Sequence, residues 1–294
     1  MLLKQAQQKK ISVSKFVPLV ILSTPVSRSL LIQAVELTSS ESVTAYLRNS
    51  YYEIKGTVFC AFSSYLRRFD MIKAVIFDFN GTLFFDTDKH EKAWLGYAEK
   101  LLGRTLSRQE FESILGRNNK RILEFILGRC PTDAEVEKMG GEKEAVYRDL
   151  CLADRENMHL AKGAEDFLDE LKRKNVPIAI ATSSDLENVN FYFEYFGIDR
   201  WFDRSLVIYN DGTMNGKPAP DIYLKAAEKL GVDIADCAVF EDAVSGVASA
   251  RNAGAAKIYA VASATRPEVL AAEEGVTRVI SDYTQMSVED VVNG

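Results

Sequence analysis

The sequence predicts an α/β protein, a doubly wound parallel sheet with an inserted α-helical cap. Apolar runs near residues 73–78, 177–182, 204–209, 237–241 and 257–262 alternate with amphipathic helical stretches, the order that builds a parallel sheet. The long gap between the first two runs carries helix signals in place of strand signals. Crossover handedness then makes the sheet doubly wound and brings every strand end onto one edge.

The elements follow in order. Residues 1–70 lack the strand and helix alternation and are expected to be an N-terminal extension, poorly ordered or reflecting the choice of start site, with Met71 as a plausible true start just before the first strand. The core is expected over 71–86 and 162–294, and the cap over 87–161. Within the cap, DKHEKAWLGYAEKLLG (88–103) has helical apolar spacing and stops at Gly103, and Ser107 with Glu110 and Thr132 with Glu135 form two capping boxes. Trp94, Tyr97 and Leu101 share one helix face and are assigned to packing. Between Cys130 and Lys162 the pattern is charged, with Gly140 and Gly141 as a possible break. In the core, AEDFLDELKRK, DIYLKAAEKL and EVLAAEE supply helices, and TRVI (277–280) a last short strand.

Four strand ends carry chemistry. The first run ends on Asp78 within DFNGT, a carboxylate able to attack phosphorus when a divalent cation screens the two anions. The second releases Thr182, Ser183 and Ser184, whose hydroxyl and N–H groups suit phosphate oxygens. Lys217, on a Pro-rigidified loop before a helix, offers a fixed positive charge. A further strand ends on Glu241 and Asp242, and Gly246 opens a small-residue helix that can pack closely on the sheet. Singly these read as N-caps, a solvated lysine and an acidic turn; together they form the set that phosphoryl transfer requires.

In the order of its DxDGT, Ser/Thr, Lys-Pro and Glu-Asp motifs, the chain resembles the haloacid dehalogenase superfamily over residues 71 to about 285. His90, Ala93 and Trp94 match the H-x-x-A-W that opens the cap of its β-phosphoglucomutase-like branch. The resemblance implies a Mg²⁺-dependent phosphatase that works through an aspartyl phosphate on a small phosphorylated metabolite such as a sugar phosphate. Asp78 would be nucleophile and metal ligand, and Asn80 would give its backbone carbonyl to the metal. Asp242 with Glu241 would complete or support the coordination shell. Thr182, Ser183 and Lys217 would hold the phosphoryl group, Lys217 also keeping Asp78 ionised, while Ser184 and His90 would stand at the substrate.

The departures are as informative. Where the family carries a second Asp as general acid and base, this chain has Asn80, a loss worth about 10²–10⁴ in rate that leaves the metal site intact. The enzyme would then favour good leaving groups such as acyl phosphates, use His90 as a substitute, or gain a carboxylate by deamidation of Asn80 before Gly81. Phe85, followed by Asp86, occupies the place of a usual acidic residue in the loop joining cap and core. Asn119 stands where mutases of the branch use an arginine for a distal phosphate, with Arg117, Lys120 and Arg121 nearby. That favours phosphatase over the alternatives, a sugar phosphomutase or a non-catalytic phospho-ligand binder.

Composition agrees. The 294 residues, 47% hydrophobic, suffice for a core with an insertion, and a net charge of −6 argues against nucleic-acid binding. The run FVPLVILSTPVSRSLLIQAV is broken by Pro18, Pro25 and Arg28 and makes no membrane anchor. Cys60, Cys130, Cys151 and Cys237 have no metal spacing and fit reduced thiols in a cytoplasmic protein. Oligomeric state is not legible.

Overall fold

The computed structural model describes residues 71–114 and 117–293; the expected extension over 1–70, with Cys60, lies outside them. The chain runs through β1 (Ala74–Phe77), then α1 (Thr87–Leu102), α2 (Arg108–Ile114), α3 (Asn119–Leu127), α4 (Asp133–Ala153) and α5 (Ala164–Arg173). It continues through β2 (Ile178–Ala181), α6 (Leu186–Phe196), β3 (Val207–Ile208), α7 (Asp221–Leu230), β4 (Cys237–Glu241) and α8 (Val244–Ala253). The last elements are β5 (Lys257–Val261), α9 (Pro267–Ala271), β6 (Val276–Ile280) and α10 (Val288–Val292).

The strands form one parallel sheet in the order β3-β2-β1-β4-β5-β6. β1 lies between β2 and β4, so the connections diverge on either side of it and the carboxyl ends of these three strands bound a crevice. Their side chains alternate between two buried layers. Val75, Phe77, Ile178, Ile180, Ala238 and Phe240 face one layer, whereas Ala74, Ile76, Ala179, Ala181, Cys237 and Val239 face the other. Burial on both faces is why these strands read as unbroken apolar runs. Across the first layer, Phe77 stacks on Phe240 with ring centroids 5.0 Å apart, and Phe240 on Tyr259 at 4.9 Å.

Helices α1 to α3 gather their own apolar cluster, including Trp94, Tyr97, Phe111, Ile122 and Leu123, with Leu101 packed against it. Both expected capping boxes form. Ser107 Oγ accepts from the Glu110 N–H while the Glu110 carboxylate accepts from the Ser107 N–H, and Thr132 and Glu135 do the same at the start of α4.

Two expectations need correction. Gly140 and Gly141 do not break the chain, since α4 runs through them. A Cβ at Gly140 would stand 3.1 Å from Asn119 Nδ2, so this glycine serves the close approach of α3 and α4. The third strand is shorter than expected, because Arg204–Leu206 forms a 3₁₀ turn capped by Asp203, whose side chain accepts from the Ser205 N–H. Among the described residues no helix is long and apolar enough to cross a membrane, and Cys130, Cys151 and Cys237 are unpaired.

Phe240 is fully buried at the centre of the aromatic stack. Phe240→Ala is expected to lower unfolding free energy by about 3–5 kcal/mol in denaturant melts, and a loss under about 1 kcal/mol would contradict the packing described.

Candidate active site

Asp78 follows β1 directly, and its N–H donates to the Phe240 carbonyl at 3.0 Å, which ties this carboxylate's backbone to β4. Gly81, two residues past Asn80, has φ +75°, and a Cβ there would overlap the Asp242 carboxylate. The turn thus needs glycine both for its backbone and to admit Asp242. Lys217 Nζ, buried, donates to Asp78 Oδ1 at 2.6 Å, to Glu241 Oε1, and at 3.5 Å to the Ala181 carbonyl. Those three contacts use its three protons.

Glu241 is saturated as well. Oε1 also accepts from Tyr223 OH at 2.5 Å, and Oε2 accepts from the Asp242 and Ala243 N–H groups at 3.0 and 3.4 Å. A Cβ at Gly246 would overlap this carboxylate, so the glycine that the sequence assigned to helix packing makes room for an acid. Asp242 Oδ1 accepts from Thr82 Oγ1 at 3.4 Å. Oxygens of Asp78, Glu241 and Asp242 all lie within 4.8 Å of one another, a cluster of hard donors able to hold a metal ion.

Charge balance sets the electrostatics. Burial pushes the Asp78 carboxyl up to about 7, against the pull of Lys217 and with the repulsion of Glu241. Burial and the Glu241 and Asp78 charges raise Asp242 well above the usual carboxylate range. Burial alone would lower Lys217, but Asp78 and Glu241 outweigh it and hold it above its ordinary value. More carboxylate than cation is gathered here, which favours a positive ion.

The crevice opens into a cleft that reaches the helices after β1. Asp78, Asn80, His90, Thr182, Ser183, Ser184, Lys217, Glu241 and Asp242 all line it, so every residue singled out from the sequence reaches one cavity. Asn118, which caps α3, meets the loop before Lys217: a Cβ at Gly216 would lie 2.6 Å from Asn118 Nδ2.

Asn80 sits in a knot of polar groups. Its Nδ2 brings two protons to three acceptors, Asp86 Oδ2 at 2.6 Å and the hydroxyls of Tyr192 and Tyr147 at 2.8 and 3.1 Å. Its Oδ1 accepts from Ser184 Oγ at 2.8 Å and Tyr192 OH at 3.0 Å. His90 stacks on Tyr147, and its Nδ1 lies 2.8 Å from Lys143 Nζ. An ammonium has no lone pair, so Nδ1 is the acceptor and the ring proton sits on Nε2, which faces Asp86 Oδ2 at 3.5 Å. Lys143 also pairs with Glu144 at 2.9 Å; burial would raise that carboxyl, but the Lys143 charge and the hydrogen bonds from Lys143 and Asn188 outweigh it and bring it down to about 2.

A profile of haloacid dehalogenase-like hydrolases matches residues 72–254. The chain belongs to that family. It is 27% identical over 221 residues to a phosphorylated carbohydrates phosphatase of Thermotoga maritima, covering 74% of this chain and 98% of that one. It is 32% identical over 219 residues to a β-phosphoglucomutase of Bacillus subtilis, covering 72% and 92%. A solved hydrolase of the family from Entamoeba histolytica superposes with a TM-score of 0.68 at 41% identity, over 75% of this chain and 97% of that one. The fold and the class of enzyme, a hydrolase with phosphatases among its relatives, are those the motifs implied.

Several residues of this hydrolase's site escaped sequence reasoning. Asp86 had been noted only as the neighbour of Phe85, yet it is buried in the cleft wall while Phe85 packs against the core. Lys143 and Glu144 lie in a charged stretch of α4 that looked solvated, and Tyr147 and Tyr192 have the spacing of ordinary core residues. No local pattern distinguishes a charged run that faces inward.

Two outcomes follow from this geometry. Gly246→Ala is expected to displace Glu241 and release Lys217, lowering the melting temperature and activity together; a variant with unchanged melting and turnover would contradict the contact. Because Asp78 titrates higher folded than unfolded, its stabilising contribution is complete below about pH 4 and is lost as pH rises through about 7. Metal-free protein should therefore melt lower at pH 8 than at pH 5, and the opposite order would contradict the raised carboxyls.

Proposed function

We propose that this hydrolase is a Mg²⁺-dependent phosphatase that transfers a phosphoryl group to Asp78 and then to water. The observation that carries the reading is the buried Lys217 bridge. It fixes Asp78 Oδ1 and would leave Oδ2 as the attacking atom. Thr182 and Ser183 would hold the phosphoryl oxygens at the end of β2, with the positive charge of Lys217 beside them. Ser184, bonded to Asn80 and Tyr192, and His90, bonded to Lys143, would shape the wall beside the substrate.

The donor set fits Mg²⁺, which takes hard oxygen ligands. Asp78, Asp242 and the Asn80 carbonyl would hold the ion, whereas Glu241, with both oxygens engaged, would support the site by anchoring Lys217. When bound, the ion would screen the repulsion between the phosphoryl group and the attacking carboxylate. The substrate would be a small phosphorylated metabolite, of the size of the carbohydrates for which relatives are named. Asn119 and the exposed Arg117 both line the cleft, and among the described residues lining it no buried guanidinium marks a second phosphate subsite, which favours phosphatase over mutase.

Asp78→Asn is expected to abolish phosphate release over a panel of phosphorylated metabolites, and Lys217→Ala to reduce it by at least about 10²-fold; an Asp78→Asn protein that stays active would contradict the nucleophile. Mg²⁺ should raise the melting temperature more at pH 8 than at pH 5, since the carboxylates it would bind are ionised at the higher pH. An equal gain at both would count against these ligands.

A further inference from the structure

We propose that the substrates of this site are acyl phosphates, in which the phosphoryl group sits on a carboxyl oxygen that departs as a carboxylate and takes up no proton. The inference rests on the phosphatase reading and narrows it to one kind of bond. A phosphate ester of an alcohol leaves as an alkoxide and needs a proton delivered to the departing oxygen, whereas a carboxylate is a stable anion.

Among the described residues lining the cleft, and apart from the carboxylates that would hold the cation, the charged and amide side chains near Asp78 that might deliver that proton are already committed. Asn80 is an amide, and its Nδ2 is spent on Asp86 and two tyrosines. Asp86 is fully buried and accepts from three donors, the Gly81 N–H at 3.0 Å on Oδ1, and Asn80 Nδ2 and Tyr147 OH, the latter at 2.5 Å, on Oδ2. Both of its oxygens are thus occupied as acceptors. His90 presents neither nitrogen to the cavity: Nδ1 accepts from Lys143 and Nε2 faces Asp86. Lys143, 1% exposed, donates to His90 and Glu144 and rests 4.9 Å from the Trp94 ring centroid. Lys217 spends its protons on Asp78, Glu241 and the Ala181 carbonyl. An arginine such as Arg117 does not release its proton.

The same arrangement removes an acyl-borne phosphoryl group without a donor. Asp78 Oδ2 forms a bond to phosphorus as the bond from phosphorus to the carboxyl oxygen breaks, and that electron pair leaves with the carboxylate. Water then bonds to phosphorus, the bond from phosphorus to Asp78 breaks with its electron pair returning to the Asp78 carboxylate, and both water protons stay on the product phosphate. No proton crosses to a leaving group in either step.

The test measures kcat/KM of the full chain with Mg²⁺ on acetyl phosphate, a series of substituted phenyl phosphates and a sugar phosphate ester. The expected result is a steep fall as the leaving group becomes more basic, with acetyl phosphate ahead of the sugar ester by at least about 10²-fold. The double variant Asn80→Asp/Asp86→Asn exchanges carboxylate and amide while keeping their hydrogen bond. It is expected to raise the sugar-ester rate relative to the acetyl phosphate rate by about 10²-fold. An active wild type whose sugar-ester rate is within tenfold of its acetyl phosphate rate overturns the inference and leaves the phosphatase reading standing. A wild type inert to every compound overturns both. If the double variant fails to fold, the wild-type series decides alone.

Discussion

One buried lysine organises this protein's site. Lys217 spans Asp78, just after β1, and Glu241 on β4, and removing the lysine would leave two buried carboxylates without their counter-charge. Breaking such a pair costs about 3–5 kcal/mol, so the bridge ties folding and chemistry to the same atoms. The arrangement around it follows. Tyr223 and two backbone N–H groups saturate Glu241, Gly246 makes room for it, and Gly81 makes room for Asp242. The excess of carboxylate that remains makes the crevice electrostatically favourable to a cation.

The sheet supplies the geometry that the bridge needs. Parallel strands put every carboxyl end on one side, and the divergence of connections at β1 opens the crevice where Asp78, Thr182 and Glu241 meet. The helices after β1 add the other wall, and the Asn80 knot joins the two, since Asp86 and Tyr147 hold the same amide that Ser184 and Tyr192 hold from the β2 side. Asn80 is thus as fully bonded as a core residue, which explains how an amide persists at the centre of a polar cleft without a vacant partner.

The sheet and the motif residues were legible because their signals are local. An apolar run ending on Asp78, or on Glu241 and Asp242, states both the strand and the group at its end, and the capping pairs at Ser107 and Thr132 mark helix starts by chemistry within one turn. What stayed hidden depends on contacts distant in sequence. Lys143 and Glu144 read as a solvated face until α4 turns them toward His90 and Asn188. Gly140 reads as a helix breaker until Asn119 is seen against it, and Asp86 reads as a loop acid until Asn80, Gly81 and Tyr147 surround it. The length of β3 turned on a single Asp203 cap.

The central claim is that a carboxylate oxygen of Asp78 bonds to phosphorus during turnover. The most direct measurement is rapid acid quench of the enzyme with acetyl phosphate and Mg²⁺, followed by mass spectrometry of the peptide spanning β1. The account predicts a phosphoryl group on Asp78 that forms and decays within the turnover time. Phosphate release with that peptide unmodified, or with the phosphoryl group on another residue, would contradict it.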